Sequence, residues 1–228
     1  WKIVHPYTGA APGGWAWTPL PGGVPDADDT AGALLALEAL GAEAPGVMDA
    51  AVLGVEWLLG LQNRDGGIPT FCRGWGALPF DRSTPELTAH ALRAWSVWRS
   101  RLPAALARRV DEARRRALDY LVASQRANGS WIPLWFGNES AEGQENPVYG
   151  TGMVLRALGE SDDSVGRAVL AGRRFLLQSQ NPDGGWGGAL GTRSTLEETS
   201  IALSALVGED GTAEAVARGV EWLLPRLE

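Results

Sequence analysis

Apolar residues recur at helical spacing in four segments that share one pattern. Each segment begins with a threonine, and apolar residues follow three, four and seven positions later, on one face of an α-helix. These segments are 30–37, 88–95, 151–158 and 199–206. A second helical pattern follows each of them, near residues 46–62, 103–125, 162–180 and 212–227. The chain is therefore predicted to be all-α, with about eight helices in four helical hairpins and no strand.

A second repeat marks the ends of three of the outer helices. Residues 62–68, 125–131 and 180–186 align position by position, with Gln first, Asp or Asn then Gly in the middle, and Trp or Ile last. The glycine supplies the left-handed residue that ends a helix, and the glutamine can bind the backbone of a neighbouring hairpin. The tryptophan is predicted to pack on the adjacent repeat. Ile68 replaces that tryptophan once, which predicts a weaker contact there.

Both ends of the chain lie inside repeats. Gly13-Gly14-Trp15 matches the tail of a further turn, and residues 220–224 repeat residues 55–59. Stacked hairpins of this kind form solenoids or closed toroids, and the bulky inner helices favour a closed α/α barrel. We expect one partial barrel domain over 1–228, with repeats near 26–71, 83–135, 147–190 and 194–228. The predicted helix caps are Asp28-Asp29, Ser83-Thr84 and Ser194-Thr195.

Composition narrows the class of protein. The 228 residues are 45% hydrophobic and 21% charged, which is ordinary for a globular domain. A net charge of −7 argues against a nucleic-acid partner and a polybasic membrane anchor. Cys72 is the single cysteine, which excludes a disulfide framework and a cysteine-rich zinc site. No segment approaches the ~18–20 apolar residues of a membrane span.

Three carboxyl groups stand together just before the first inner helix, at Asp26, Asp28 and Asp29. A helix N-terminus attracts carboxylates, so the simplest interpretation is an elaborate helix cap. The segment lacks the ligand spacing of a calcium loop. Crowded carboxyl groups cannot all ionise cheaply, however, and burial adds to that cost. One of them is therefore expected to keep its proton and to serve as a general acid.

The acidic segment combined with the Gln-to-Trp turns resembles the class II terpene cyclases, specifically the squalene–hopene cyclases. That resemblance covers nearly the whole chain but only the later half of such an enzyme's catalytic region. It implies that Asp28 donates a proton to a terminal alkene, with Asp26 and Asp29 as its hydrogen-bonding neighbours. It also implies that His90 holds the acid, with Glu86 in place of the family's aspartate four residues earlier.

The same resemblance assigns aromatic residues to a cavity that stabilises carbocations, which aromatic faces attract. Trp17, Phe71 and Trp135 are the implied lining residues, and Tyr149 is implied to link the acid to water for reprotonation. Core packing is the alternative for each of them. Trp15, Trp131 and Trp186 are assigned to structure because their place in the turn motif explains them. Residues 136–146 are longer and more polar than the family pattern, which predicts a reshaped cavity mouth.

The implied activity is cyclisation of a linear isoprenoid such as squalene, in triterpenoid biosynthesis. It needs neither cofactor nor metal, because protonation starts the cascade and proton loss or water capture ends it. The family also implies a bacterial enzyme attached peripherally to the cytoplasmic side of the membrane, or cytoplasmic. The rest of a longer parent chain is expected to complete the barrel.

Three alternatives remain open. A cyclase of a shorter or diphosphate-bearing isoprenoid would need a basic cluster and Mg²⁺, and Arg114–Arg116 with Arg173–Arg174 could supply the charge. Helical spacing makes them solvated outer faces instead. A non-catalytic toroid that binds lipid or protein would need no acid. A protein prenyltransferase subunit would need zinc, for which Cys72 lacks a neighbouring aspartate, and His5 is expected to be incidental.

Overall fold

The computed structural model describes residues 2–6, 8–20, 22–41, 43–71, 81–159 and 165–227, and Cys72 lies outside these ranges. All regular elements in the described part are helical, which confirms the all-α prediction. The α-helices are α1 (Ala27–Gly41), α2 (Val47–Leu61), α3 (Pro85–Trp98), α4 (Ala104–Ser124), α5 (Pro147–Leu158), α6 (Gly166–Gln178), α7 (Leu196–Leu206) and α8 (Ala213–Leu223). Short 3₁₀ turns occupy Arg99–Arg101, Glu142–Gln144 and Leu224–Arg226.

The chain forms two compact units, residues 1–121 and 122–228. In the first unit α1 packs against α2 and α3, and in the second α5 packs against α6 and α7. Helices α1, α3, α5 and α7 are therefore the inner members of their hairpins, as the pattern predicts. A single domain over the whole chain stays a prediction.

The glutamine of each turn ties its own turn to the next outer helix. The side-chain nitrogen of Gln62 donates to the carbonyl oxygens of Gly66 and Ala113, both at 2.8 Å. Gln125 and Gln180 make the equivalent two bonds in the second unit, at 2.8 to 2.9 Å. The polar atoms at these helix ends are thus paired without water, which fixes the spacing of successive hairpins.

The threonine that opens each inner-helix pattern binds the backbone of the turn. All four threonines are fully buried, and each accepts a hydrogen bond from the N–H of the residue at the tryptophan position, at 2.9 to 3.0 Å. The pairs are Trp15 with Thr30, Ile68 with Thr88, Trp131 with Thr151 and Trp186 with Thr199. This bond explains why the pattern begins with threonine rather than with a further apolar residue.

A glycine on the following outer helix makes room for each motif tryptophan. A Cβ atom built on Gly54 would lie 2.6 Å from Cζ3 of Trp15, closer than van der Waals contact allows. Gly172 faces Trp131 and Gly219 faces Trp186 in the same way. Where the turn carries Ile68, the equivalent outer-helix position is Ala117, and both side chains are fully buried. The smaller turn residue is thus accompanied by a larger helix residue.

One predicted cap is wrong by two residues. Helix α1 begins at Ala27, so Asp28 and Asp29 lie inside its first turn, and Asp26 accepts the N–H of Asp29 at 2.8 Å. The last helix also ends earlier than predicted, at Leu223, and a 3₁₀ turn containing Pro225 follows. Proline lacks the N–H that a continuing α-helix needs.

Candidate active site

The N-terminus of α1 is held between two turn segments. The N–H of Asp26 donates to the carbonyl oxygen of Trp15 at 3.0 Å, and the N–H of Ala27 donates to Thr70 at 2.8 Å. Asp26 forms isolated antiparallel bridges with both Trp15 and Phe71. The turn motifs therefore fix the acidic segment on both sides, through Trp15 on one side and Thr70 and Phe71 on the other.

The carboxyl groups of Asp26 and Asp29 act as a hydrogen-bonded pair. Burial is the largest cause that raises the pKa of Asp26, from an ordinary 3.8 to about 8, and the side-chain hydrogen bond with Asp29 adds to it. The negative charges of Asp29 and Asp28 act in the same direction, while the N–H of Asp29 opposes them. Asp26 therefore keeps its proton at neutral pH and donates it to the Asp29 carboxylate.

Asp28 faces a different partner. Its Oδ1 lies 2.8 Å from Nδ1 of His90 on α3, and the side chain of Asp28 is 45% exposed while that of His90 is 15% exposed. Gly32, one turn after Asp28, lies beside the imidazole, and a Cβ there would make an ordinary van der Waals contact of 3.7 Å with Cε1 of His90. The second carboxyl oxygen of Asp28 is free of the imidazole and can carry a proton toward a bound molecule.

The same two helices are joined farther along. The indole nitrogen of Trp98 on α3 donates to the carbonyl oxygen of Leu34 on α1 at 2.8 Å, in a fully buried position. Arg101 pairs with Glu38 at 2.9 Å beyond it. These contacts fix the register between α1 and α3, so the approach of His90 to Asp28 follows from the packing of whole helices.

Glu86 is 1% exposed and stands one turn before His90 on α3. Its carboxylate accepts the hydroxyl of Thr84, the residue at the N-cap of α3. The pKa of the Tyr120 phenol on α4 is raised, first by burial and then by the charges of Asp65 and Glu86. Glu86 is thus built into the start of α3, and an influence on the acid through His90 stays a prediction.

The four predicted aromatic residues fall in both units. In the first, Trp17 is 83% exposed and Phe71 is partly buried. In the second, Trp135 is 48% exposed and Tyr149 is 8% exposed. Their roles as cavity residues stay predictions, and so does the approach of Tyr149 to Asp28.

Sequence reasoning missed a cluster in the second unit. Phe136 stacks on Tyr149, with ring centroids 4.6 Å apart and planes 20° apart. Asn146 caps α5 by accepting the N–H of Tyr149, and its own side-chain nitrogen donates to the buried carboxylate of Glu198. The available signal was the Asn-Pro pair at 146–147, which is typical of a helix start.

Four of the five arginines in the two predicted clusters have a partner in their own unit. Arg115 pairs with Asp119 at 3.1 Å and is 67% exposed, and Arg114 lies 3.9 Å from Asp111. Arg116 donates to the side-chain oxygen of Gln62, and Arg173 pairs with Glu209. These contacts agree with the prediction of outer-face arginines. His5 is buried and binds Gly23 and Thr8, so it stabilises the N-terminal loop.

Metal-binding clusters and membrane-spanning helices are both absent from the described ranges. No group of three or more His, Cys, Asp or Glu side chains in them is arranged to hold a metal ion. None of their helices combines the length and the apolar character that crossing a membrane requires.

Comparison with known proteins identifies the family. The model of the squalene-hopene cyclase C-terminal domain matches residues 1–228, and the chain belongs to this family. It is 30% identical over 257 residues to a squalene–hopene cyclase of Bradyrhizobium diazoefficiens, which covers 98% of this chain and 36% of that protein. It is 33% identical over 246 residues to a terpene cyclase–glycosyl transferase fusion protein of Humicola fuscoatra, which covers 93% of this chain and 18% of that protein.

A solved structure shows the same fold. The ent-copalyl diphosphate synthase from Streptomyces platensis superimposes with a TM-score of 0.70 and 28% identity, over 92% of this chain and 37% of that one. The fold is therefore that of the class II terpene cyclases, the α/α barrel, as the sequence predicts. The chain spans about a third of the squalene–hopene cyclase and of the copalyl diphosphate synthase, and less of the fusion protein.

Proposed function

We propose that this chain carries the proton donor of a class II terpene cyclase that acts on a linear, uncharged isoprenoid such as squalene. The observation that carries the proposal is the contact of 2.8 Å between Asp28 and His90 at the start of α1, in a chain of this family. The longer protein of which this chain is a part completes the barrel around the substrate.

Asp28 is the proton donor in this mechanism. Nδ1 of His90 is hydrogen-bonded to Oδ1 of Asp28, which leaves Oδ2 as the oxygen that presents the proton to the substrate. The terminal alkene takes that proton with its π electron pair, which forms a C–H bond and leaves a tertiary carbocation. Asp28 is left as a carboxylate, and later double bonds attack the cation in turn.

Asp26 and Asp29 limit the charge at this site. Because Asp26 stays protonated up to about pH 8, it adds no negative charge beside Asp28. A less negative surrounding makes the carboxylate that Asp28 leaves behind less costly. The faces of Trp17, Phe71 and Trp135 then attract the carbocation without offering it a nucleophile.

The contacts of the arginines favour an uncharged substrate over a diphosphate. In the described part of α4 and α6, Arg114, Arg115 and Arg173 each pair with a carboxylate, and Arg116 binds an amide oxygen. A diphosphate would have to compete with these partners. An apolar C30 substrate is stored in lipid, which supports peripheral attachment of the longer protein to a membrane.

The test is turnover of squalene by the longer protein, with products identified by gas chromatography and mass spectrometry. We expect Asp28→Asn to lower kcat by at least about 10²- to 10⁴-fold, the usual contribution of a general acid. His90→Gln, which keeps a hydrogen-bonding group but removes the imidazole, should lower kcat about 10- to 100-fold.

Three other outcomes would each contradict one part of the proposal. Cyclised product that survives Asp28→Asn contradicts the assignment of the acid. Turnover of a C15 or C20 diphosphate, but not of squalene, would show that the substrate class is wrong. The same preparation, mixed with phospholipid vesicles and centrifuged, should float with them, and protein that stays entirely at the bottom contradicts membrane attachment.

A further inference from the structure

The loop of residues 136–146 connects the Trp131 turn to α5, and both of its ends are bound to one buried carboxylate. Glu198, which is 3% exposed, accepts from the side-chain nitrogens of Asn138 at 3.1 Å and Asn146 at 2.9 Å, both through Oε1. Its Oε2 accepts the hydroxyl of Thr195. Three donors thus converge on a carboxylate that is almost out of contact with solvent.

The Asn146 end of the loop sets the position of Tyr149. The side-chain oxygen of Asn146 accepts the N–H of Tyr149 at 3.1 Å and caps α5. With its nitrogen on Glu198 and its oxygen on the helix, the Asn146 amide cannot rotate without losing both bonds. The backbone of Tyr149 is therefore fixed relative to the start of α7.

The Asn138 end of the loop sets the position of Phe136. Beside its bond to Glu198, Asn138 donates its N–H to the carbonyl oxygen of Gln144 at 3.1 Å. Gly188 packs so closely that a Cβ on it would lie 2.4 Å from Cβ of Asn138. Phe136, two residues earlier, is partly buried and lies flat on the ring of Tyr149 at 4.6 Å.

We propose that Phe136 is a positioning residue for Tyr149, and that Glu198 maintains their contact by holding both ends of the 136–146 loop. Stacking on one face restricts the tilt of the Tyr149 ring, so the direction of its hydroxyl is restrained while the carbocation forms. This inference rests on the proposed function, because it assigns Tyr149 a part in that reaction.

The experiment measures kcat, KM and product distribution of the longer protein with squalene. Phe136→Leu keeps an apolar side chain but removes the ring, and kcat should fall about two- to tenfold with little change in KM. Phe136→Tyr retains the ring and should lose less rate than Phe136→Leu. In a Tyr149→Phe background, which lacks the hydroxyl, Phe136→Leu should have a much smaller effect on kcat.

A second set of variants tests the role of Glu198. Glu198→Ala releases both asparagines and should reproduce the fall in kcat of Phe136→Leu. Glu197→Ala is the matched control: it removes an exposed carboxylate from the same first turn of α7, and kcat should not change. If circular dichroism shows that Glu198→Ala is unfolded, Asn138→Ala replaces it, because it releases the Phe136 end and leaves the cap of α5 intact.

Three results would overturn the inference. Phe136→Leu with unchanged kcat and products would show that the stack has no role in turnover. An equal fall in both Tyr149 backgrounds would mean that Phe136 acts on the substrate directly and not through Tyr149. A wild-type protein without cyclised product contradicts the proposed function itself and the inference with it, whereas an active wild type, inactivated by Asp28→Asn, isolates a failure at Phe136.

Discussion

At the scale of single residues, the acidic segment divides its tasks by environment. Asp26 is the group whose proton is retained, because burial raises its pKa and it is hydrogen-bonded to Asp29. Asp28 instead has the contact with His90 and keeps its side chain nearly half exposed. The carboxyl group whose pKa burial raises and the one placed to donate a proton are therefore different residues.

The sequence predicts that the aspartates differ in protonation and that one of them has His90 as a partner. Three aspartates in four residues indicate that one keeps a proton, and the family resemblance selects His90 as a partner. The order of residues alone does not show which aspartate has its pKa raised by burial. That depends on the two turn segments that bind Asp26 and Ala27, which come from residues 15 and 70. Such contacts between distant parts of the chain carry no local signal.

The raised pKa of Asp26 predicts how stability depends on pH. Between about pH 4 and pH 8 the folded protein holds a proton that the unfolded chain has released, so the free energy of unfolding should fall as the pH rises. The slope is at most about 1.4 kcal/mol per pH unit for one proton, and the remaining solvent contact of Asp26 narrows the pH range over which that slope holds. Asp26→Asn has no proton to lose and should remove this slope.

Urea denaturation at pH 5, 6, 7 and 8 measures the effect. Asp49→Asn is the matched control, since Asp49 is an exposed carboxylate in the first turn of α2. That variant should keep the slope of the wild type. Parallel curves for Asp26→Asn and the wild type would mean that Asp26 titrates as an ordinary carboxyl group.

At the scale of elements, one set of contacts recurs at each hairpin. The repeated glutamines, glycines and tryptophans predicted helix ends and packing between repeats. The packing and the position of the helix ends are confirmed, but the prediction that the left-handed glycine ends the helix is wrong: α2 ends at Leu61, and Gly66, with φ of 92°, lies within the turn after Gln62. The glycine that receives each tryptophan was not predicted, because a glycine inside a helix pattern looks like a local weakness. Each of these glycines makes room for an aromatic ring from another part of the chain, as the pairing of Trp15 with Gly54 illustrates.

Two glycines of α2 give opposite predictions for the same substitution. Gly54→Ala places a methyl group 2.6 Å from the ring of Trp15 and should destabilise the protein by ~1–3 kcal/mol. Gly60→Ala meets no atom within 4 Å and should stabilise it by ~0.5–1 kcal/mol, because alanine loses less backbone entropy in a helix.

Thermal and urea unfolding of the two variants provide the measurement. Both substitutions add the same methyl group to the same helix, so helix propensity cancels in the comparison. Equal stabilities for the two variants would show that Trp15 adjusts freely and that Gly54 has no packing role.

At the scale of the whole molecule, the sequence predicted the helices well and the arrangement of the site less well. Helix positions depend on local periodicity, which the chain repeats four times. The loop of residues 136–146 depends instead on Glu198, some fifty residues later. The sequence shows the length and polarity of this loop. It does not show which of two adjacent glutamates is buried and binds the loop, because periodicity does not distinguish them.

The exposure of the site residues predicts what the rest of the longer protein contributes. Asp28 is 45% exposed and Trp17 is 83% exposed, whereas a carbocation cascade requires that water be kept from the cation. The chain spans 36% of the squalene–hopene cyclase of Bradyrhizobium diazoefficiens, and we expect the remaining part to cover these side chains.

The 228-residue chain alone should therefore give no cyclised squalene, while the longer protein does. Both are incubated with squalene under the same conditions and their products are compared by gas chromatography and mass spectrometry, with Asp28→Asn of the longer protein as the blank. Circular dichroism of the short chain establishes that its helices have formed. Cyclised product from the short chain, lost on Asp28→Asn in that chain, would show that residues 1–228 already enclose a dry site. In that case the rest of the protein would serve attachment or substrate delivery, because exclusion of water would be achieved without it.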